Sequence, residues 1–193
     1  MIWAMVAQLS WLISDPKPVS NAQVRHLATC LAAVDQRDSL ALVRSQIASS
    51  EQGQISQRMS SDHPACLQRH GWSLVNSDVE RGMISEIYLH KQPSMLERVS
   101  RMPDKPPVRP SDAVLGRAFL YAYATCLYRA APARSATVLG TEADSPEERA
   151  AVVAYGDLLK GCMPNNISYH LNFSDLRTRI ATVVYYAATS DLT

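Results

Sequence analysis

Phenylalanine occurs only twice in the 193 residues and glycine only seven times. Neither a Gly-rich phosphate loop nor a dinucleotide fingerprint is present. An excess of one charge is missing too, since 19 basic residues face 18 acidic ones for a net of +1. Non-specific nucleic-acid binding needs a basic stripe that releases phosphate counterions, so this balance argues against that partner. No window holds the dense Lys/Arg cluster that an anionic membrane surface would attract. No apolar run reaches the roughly 20 residues that span a bilayer as a helix, so no transmembrane segment is expected. The motifs Gly-x-Ser-x-Gly, His-Glu-x-x-His and Cys-x-x-Cys are all absent.

Alanine, leucine, arginine and glutamine are plentiful instead, a mixture that favours helix over sheet. An apolar fraction of 47 % with 19 % charged residues is that of an ordinary globular protein. The length suits one medium domain or two small ones, enough to bury a real core.

Four cysteines organise the rest. Ala28-Thr29-Cys30-Leu31 returns as Ala124-Thr125-Cys126-Leu127, 96 residues on, and Cys66 and Cys162 are separated by the same 96. In that register Ser49 meets Ser145, Glu51 meets Glu147, Asn76 meets Asn172, Arg81 meets Arg177 and Ile84 meets Ile180, with no gap. Low identity in an unbroken register is most simply two copies of one unit. The chain then divides into a segment 1–19, a first helical repeat 20–91, a linker 92–112 and a second repeat 113–193. The linker contains Pro93, Pro103, Pro106, Pro107 and Pro110. Proline removes amide donors and forbids a continuous helix, so 92–112 reads as an extended surface segment with one helical turn near 95–101.

Helical signals recur within each copy. Val114, Leu115, Ala118, Phe119, Ala122 and Cys126 follow Ser111-Asp112 at the spacing of one helical face. A short helix over 133–139 closes at Gly140. Ser145-Pro146-Glu147-Glu148 reads as a capping box, kept in weaker form by Ser49-Ser50-Glu51-Gln52. The helix it opens is expected to run unbroken to Lys160, where Gly161 and Pro164 stop it. The final helices start near Asp78 and at Ser174-Asp175. The TVVYY stretch at 182–186 follows a charged helical turn without a break, so it is assigned to helix. The fold predicted is all-α, a tandem duplication of a disulfide-stapled three- to four-helix unit.

The opening MIWAMVAQLSWLI has two readings. It resembles the hydrophobic part of an export signal, with Ser20-Asn21-Ala22 as cleavage site, but lacks a basic leader. It also spaces Ile2, Val6, Leu9 and Ile13 as an amphipathic helix. The helix is favoured, because cutting after Ala22 would remove the start of the next one.

A duplicated unit that once folded alone pairs its cysteines within itself, giving Cys30–Cys66 and Cys126–Cys162 among three connectivities. The alternatives are four buried free thiols or a metal site. No two cysteines are two to four apart, and His26, His63, His70, His90 and His170 form no ligand pair at zinc spacing. No metal and no cofactor is therefore expected. Disulfides would place the chain in an oxidising compartment, the periplasm or the exterior.

No catalytic set emerges. His63 and His70 flank Cys66, but the repeat already gives that cysteine a partner. Arg81 and Arg177 take equivalent places in the last helices and read as structural, pairing with a carboxylate or a loop carbonyl rather than a bound anion. Tyr121, Tyr128 and Tyr155 sit on predicted helices and read as core, whereas Trp3, Trp11 and Trp72 could form a surface. Asn166 and Asn172 each open a glycosylation acceptor tripeptide, which matters only in a eukaryotic secretory chain.

The cysteine pairs followed by DVERGMISEIYL and SDLRTRIATVVYYA resemble a group of uncharacterised helical exported proteins of sphingomonad-type bacteria. The resemblance implies export and carries no activity. The expected role is non-enzymatic binding of a protein, peptide or small ligand, or a structural part in the cell envelope. The rivals are an enzyme whose site is assembled between the repeats and a cytoplasmic regulatory module with free thiols.

Overall fold

The computed structural model describes residues 21–47, 49–68, 76–114, 116–164 and 172–190. The readings placed on the opening segment, on Trp3, Trp11, Trp72 and His70, and on Asn166 lie outside them. Among the described residues every regular element is a helix, and none is long and apolar enough to cross a membrane.

The first half contains α1 (Asn21–Val34), α2 (Gln36–Arg44), α3 (Ser50–Asp62), α4 (Pro64–Gln68) and α5 (Ser77–Lys91). Local chemistry sets most of the starts. Each helix leaves its first amides without partners, and a short polar side chain just before it accepts from them. Asp35 accepts from the Asp38 amide at 2.9 Å, Ser49 from Gln52 at 3.2 Å, and Asn76 from Asp78 at 2.9 Å.

The second half contains α7 (Gly116–Ala130), α8 (Pro132–Gly140), α9 (Pro146–Val153), α10 (Asp157–Gly161) and α11 (Phe173–Ser190). Gln36 and Pro132, Ser50 and Pro146, and Ser77 and Phe173 open α2 and α8, α3 and α9, and α5 and α11, each pair 96 residues apart. Ser145 caps α9 through the Glu148 amide at 3.0 Å, and Asn172 receives the Ser174 amide at 3.0 Å. The capping box is modified. The Glu148 carboxylate turns back to the Asp144 amide at 2.5 Å, one residue before the cap.

Three expectations need correction. The single helical turn expected near 95–101 is a longer helix: α6 (Pro93–Ser100) occupies the first part of 92–112 and buries Met95 and Val99. Pro93 sits at its first position, where a missing amide costs nothing. The helix opened by Ser145 does not run to Lys160. It ends at Val153, and the chain turns through Gly156, whose φ of +56° suits a residue without a Cβ. The helix expected from Ser111 begins at Gly116 instead, after a turn in which Ser111 receives the Ala113 amide.

Helices α5 and α11 lie at the centre, buried along most of their length, with α1 and α7 flanking them and α6 packed on α8. Leu27, Leu31, Ile84, Leu127, Ile180 and Val184 are almost wholly removed from water. Each such aliphatic chain contributes about 1.5–3 kcal/mol through burial. The two central helices cross very closely at Gly82. A Cβ there would lie 2.4 Å from the Thr178 carbonyl oxygen, so only glycine admits this approach.

Cys30 bonds Cys66, tying α1 to α4, and Cys126 bonds Cys162, tying α7 to the end of α10. Both bridges span 36 residues.

Candidate functional site

Arg81 and Arg177 lie in the first turns of α5 and α11, buried to 0 % and 1 % exposure. Arg81 donates to the Val43 carbonyl at 2.9 Å, to Gln52 Oε1 at 3.2 Å and to Ser45 Oγ at 3.4 Å. Arg177 repeats the set from the equivalent positions. It donates to the Leu139 carbonyl at 3.2 Å and to Thr141 Oγ1 at 3.1 Å, and stands 3.6 Å from Glu148 Oε1. Each guanidinium thus ties the end of one helix to the start of the next within its own half.

Arg177 reaches further. It grips Glu86 of α5 through two bonds, Nε to Oε2 at 3.1 Å and Nη2 to Oε1 at 2.8 Å. It also donates to the carbonyls of Val138 at 2.7 Å and Thr141 at 2.8 Å. Arg25 of α1 donates to Glu86 Oε1 at 2.7 Å from the other side. Burial alone would raise the Glu86 pKa, but the two guanidiniums outweigh it and hold it below the usual carboxylate value. Among the described residues Arg81 has only neutral hydrogen-bond acceptors and an unpartnered Nε. Burial pushes its pKa down.

A second charged group joins the halves. Arg179 Nη1 stands 3.2 Å from Asp78 Oδ2 and Nη2 stands 3.1 Å from Asp175, with its guanidinium 4.8 Å from the centre of the Tyr121 ring. Gln52 donates to Asp78 at 2.7 Å and the Tyr121 hydroxyl does so at 3.2 Å. Burial opposes the charge of Arg179, yet Tyr121, Asp175 and Asp78 raise its pKa above the usual value. Glu80, on another side of α5, has among the described residues only the Ser56 hydroxyl as a side-chain donor, and burial lifts its pKa to about 7.

On the surface, a polar cleft of about 350 Å³ opens where α9 and α11 begin, lined by Asp144, Glu148, Arg149, Asn172, Phe173 and Ser174 among others. Its hydroxyls are already engaged. Ser145 donates to the Glu142 carbonyl at 2.6 Å, and Ser174 donates to Asp144 at 2.8 Å. Among the described residues no histidine lines it, and Arg149 stacks 5.7 Å from the Phe173 ring centre. Among the described residues the cleft offers no nucleophile with an adjacent base.

The sequence candidates are thereby placed. All four cysteines are in bridges, so Cys66 is no nucleophile, and His63 faces Asp35 at 3.2 Å. Tyr121, Tyr128 and Tyr155 are buried, and Asn172 receives the first amides of α11. Among the described residues no group of three histidine, cysteine or acidic side chains could hold a metal ion. Sequence reasoning missed Glu86, Asp78 and Arg179. Glu86 shared a helix with predicted core residues, and nothing local pointed to Arg177, 91 positions away. The chain matches no known family model, no curated protein and no solved structure.

Proposed function

We propose that this chain is an exported, non-enzymatic helical protein of the periplasm or cell exterior, grown by tandem duplication, with a binding or structural role in the cell envelope. One observation carries the reading. The ionisable groups that converge from both halves, Glu86 with Arg177 and Asp78 with Arg179, are buried and neutralise one another rather than facing an open cleft. An enzyme assembled between repeats would need such groups exposed to substrate with perturbed proton affinities and room to act.

Two further observations support the history and the compartment. Gly82 and Thr178 occupy equivalent positions 96 apart and touch each other, as residues on the axis of a symmetric pair do. The two bridges close each half upon itself, which suits an oxidising compartment. Export also accords with the resemblance to the sphingomonad-type exported proteins.

The test is thiol alkylation in the producing cells before lysis, followed by fractionation and non-reducing peptide mapping. The expected result is protein outside the cytoplasm carrying both bridges and no alkylated cysteine. Cytoplasmic protein with four alkylated cysteines would overturn the proposal in favour of the regulatory module.

A further inference from the structure

After α6 the chain runs as an exposed strap through Pro103, Pro106 and Pro107. Where it passes the junction of α7 and α8 it roofs a cleft of about 250 Å³. Met102, Pro103, Tyr128 and Pro132 give this cleft an apolar lining, and Lys105 and Arg129 complete the wall. The Tyr128 hydroxyl donates to the Met102 sulfur at 3.1 Å, and the Lys105 amide holds the strap to the Arg129 carbonyl at 2.9 Å. Both basic side chains are exposed, and neither has an ion pair among the described residues. Long cationic chains of this kind lay their stems along apolar surface and keep the charge at the rim. An apolar cavity of about 150 Å³ admits benzene, so this cleft has room for one six-membered ring and a substituent.

The second half also omits a group here that the first half possesses. Helix α8 starts after Ala131 with no side-chain cap, whereas α2 starts after Asp35, whose carboxylate accepts the Asp38 amide. Ala131 and Arg134 stand 96 residues after Asp35 and Asp38. Alanine offers no acceptor, so the Arg134 amide begins α8 uncapped, beside Arg129 and Pro132. An acceptor with negative charge is what a helix start and two unpaired cations favour, and the first half already uses a carboxylate at that position.

We propose that this cleft binds a small aromatic carboxylate. Its ring lies on Met102, Pro103, Tyr128 and Pro132, and its carboxylate sits among Lys105, Arg129 and the start of α8, where it does for α8 what Asp35 does for α2. The assignment deepens the binding role proposed above and rests on it, while the two tests have separate readouts.

The experiment is an NMR titration of the whole chain with sodium benzoate, and with benzamide as its neutral isostere. The expected result is a saturable shift of the Arg134 amide and the Tyr128 ring, with benzoate at least tenfold tighter than benzamide. R129Q and K105Q, both on the surface, should each weaken benzoate several-fold without moving the melting temperature. A131D, which supplies the missing carboxylate from within, should block it. Absence of a saturable shift, equal affinity for benzamide, or undiminished binding to R129Q or A131D would overturn the assignment. A failed titration of protein that is exported and fully bridged counts against the cleft alone. Alkylated cysteines in the cytoplasm count against the wider function and leave the titration standing.

Discussion

Glu80 and Glu86 lie six positions apart on α5, are equally buried, and are treated oppositely by their surroundings. Glu86 faces two guanidiniums and keeps its charge, whereas Glu80 faces one hydroxyl and holds a proton up to about pH 7. The folded state therefore binds the Glu80 proton more tightly than the unfolded chain, whose value is near 4.5. Its contribution to stability is fully present below about pH 4.5, declines as pH rises to about 7, and is level above that. E80Q removes the dependence. Denaturant titrations should find E80Q more stable than the parent at pH 8, by up to about 3 kcal/mol, with the gap closing toward pH 5. Arg177 makes the opposite case. R177M leaves the buried Glu86 with Arg25 and, 3.7 Å away, the His90 ring, and should cost about 3–5 kcal/mol in the same measurement. The double variant R177M/E86M should lose less than the two single losses combined, because the Glu86 charge is then no longer buried without Arg177, although Glu148 still loses the guanidinium 3.6 Å away.

Helix starts are the part of this molecule that its sequence states most directly. Ser145 accepts an amide three residues on and was read as a cap, whereas Asn76 and Asn172, which do the same two residues on, stand just before the starts expected near Asp78 and at Ser174-Asp175. Helix α6 was read only as a single turn near 95–101, because five nearby prolines outweighed Met95 and Val99, whose spacing of four puts both on the buried face. The break after Val153 was missed because Gly161 offered a more conventional stop. Its actual cause, Gly156, is a single residue whose left-handed backbone no spacing rule announces. Glycine also divides the central helices from the others. At Gly82 a methyl group would strike Thr178, so G82A should destabilise by about 1–3 kcal/mol or more through overpacking. At Gly53 in α3 nothing lies within 4 Å, so G53A should stabilise by about 0.5–1 kcal/mol. Thermal melts of the two variants should move in opposite directions.

Across the whole molecule the two bridges act on loops of equal length, 36 residues apart in sequence. On the chain-entropy account each contributes about 3–4 kcal/mol by restricting the unfolded chain. They differ in access, since Cys30 is partly exposed whereas Cys126 and Cys162 are almost fully buried. Titration with dithiothreitol, read by mass after alkylation, should open the first bridge before the second. The paired cysteines were legible because the 96-residue echo between the halves of the sequence restricted their choice. The charged contacts between halves were not, since Glu86–Arg177 and Asp78–Arg179 join residues 91 and 101 positions apart and arise only where the halves pack.

The strap between those halves has one more consequence. It is exposed, yet Lys105 is followed by Pro106 and Arg109 by Pro110. A peptide bond whose nitrogen belongs to proline resists proteases that cut after basic residues, and the preceding residue is held extended and stiff. Trypsin applied to the native protein should therefore leave 103–110 uncut, so an exposed stretch of chain outlasts a protease for which it holds two basic residues.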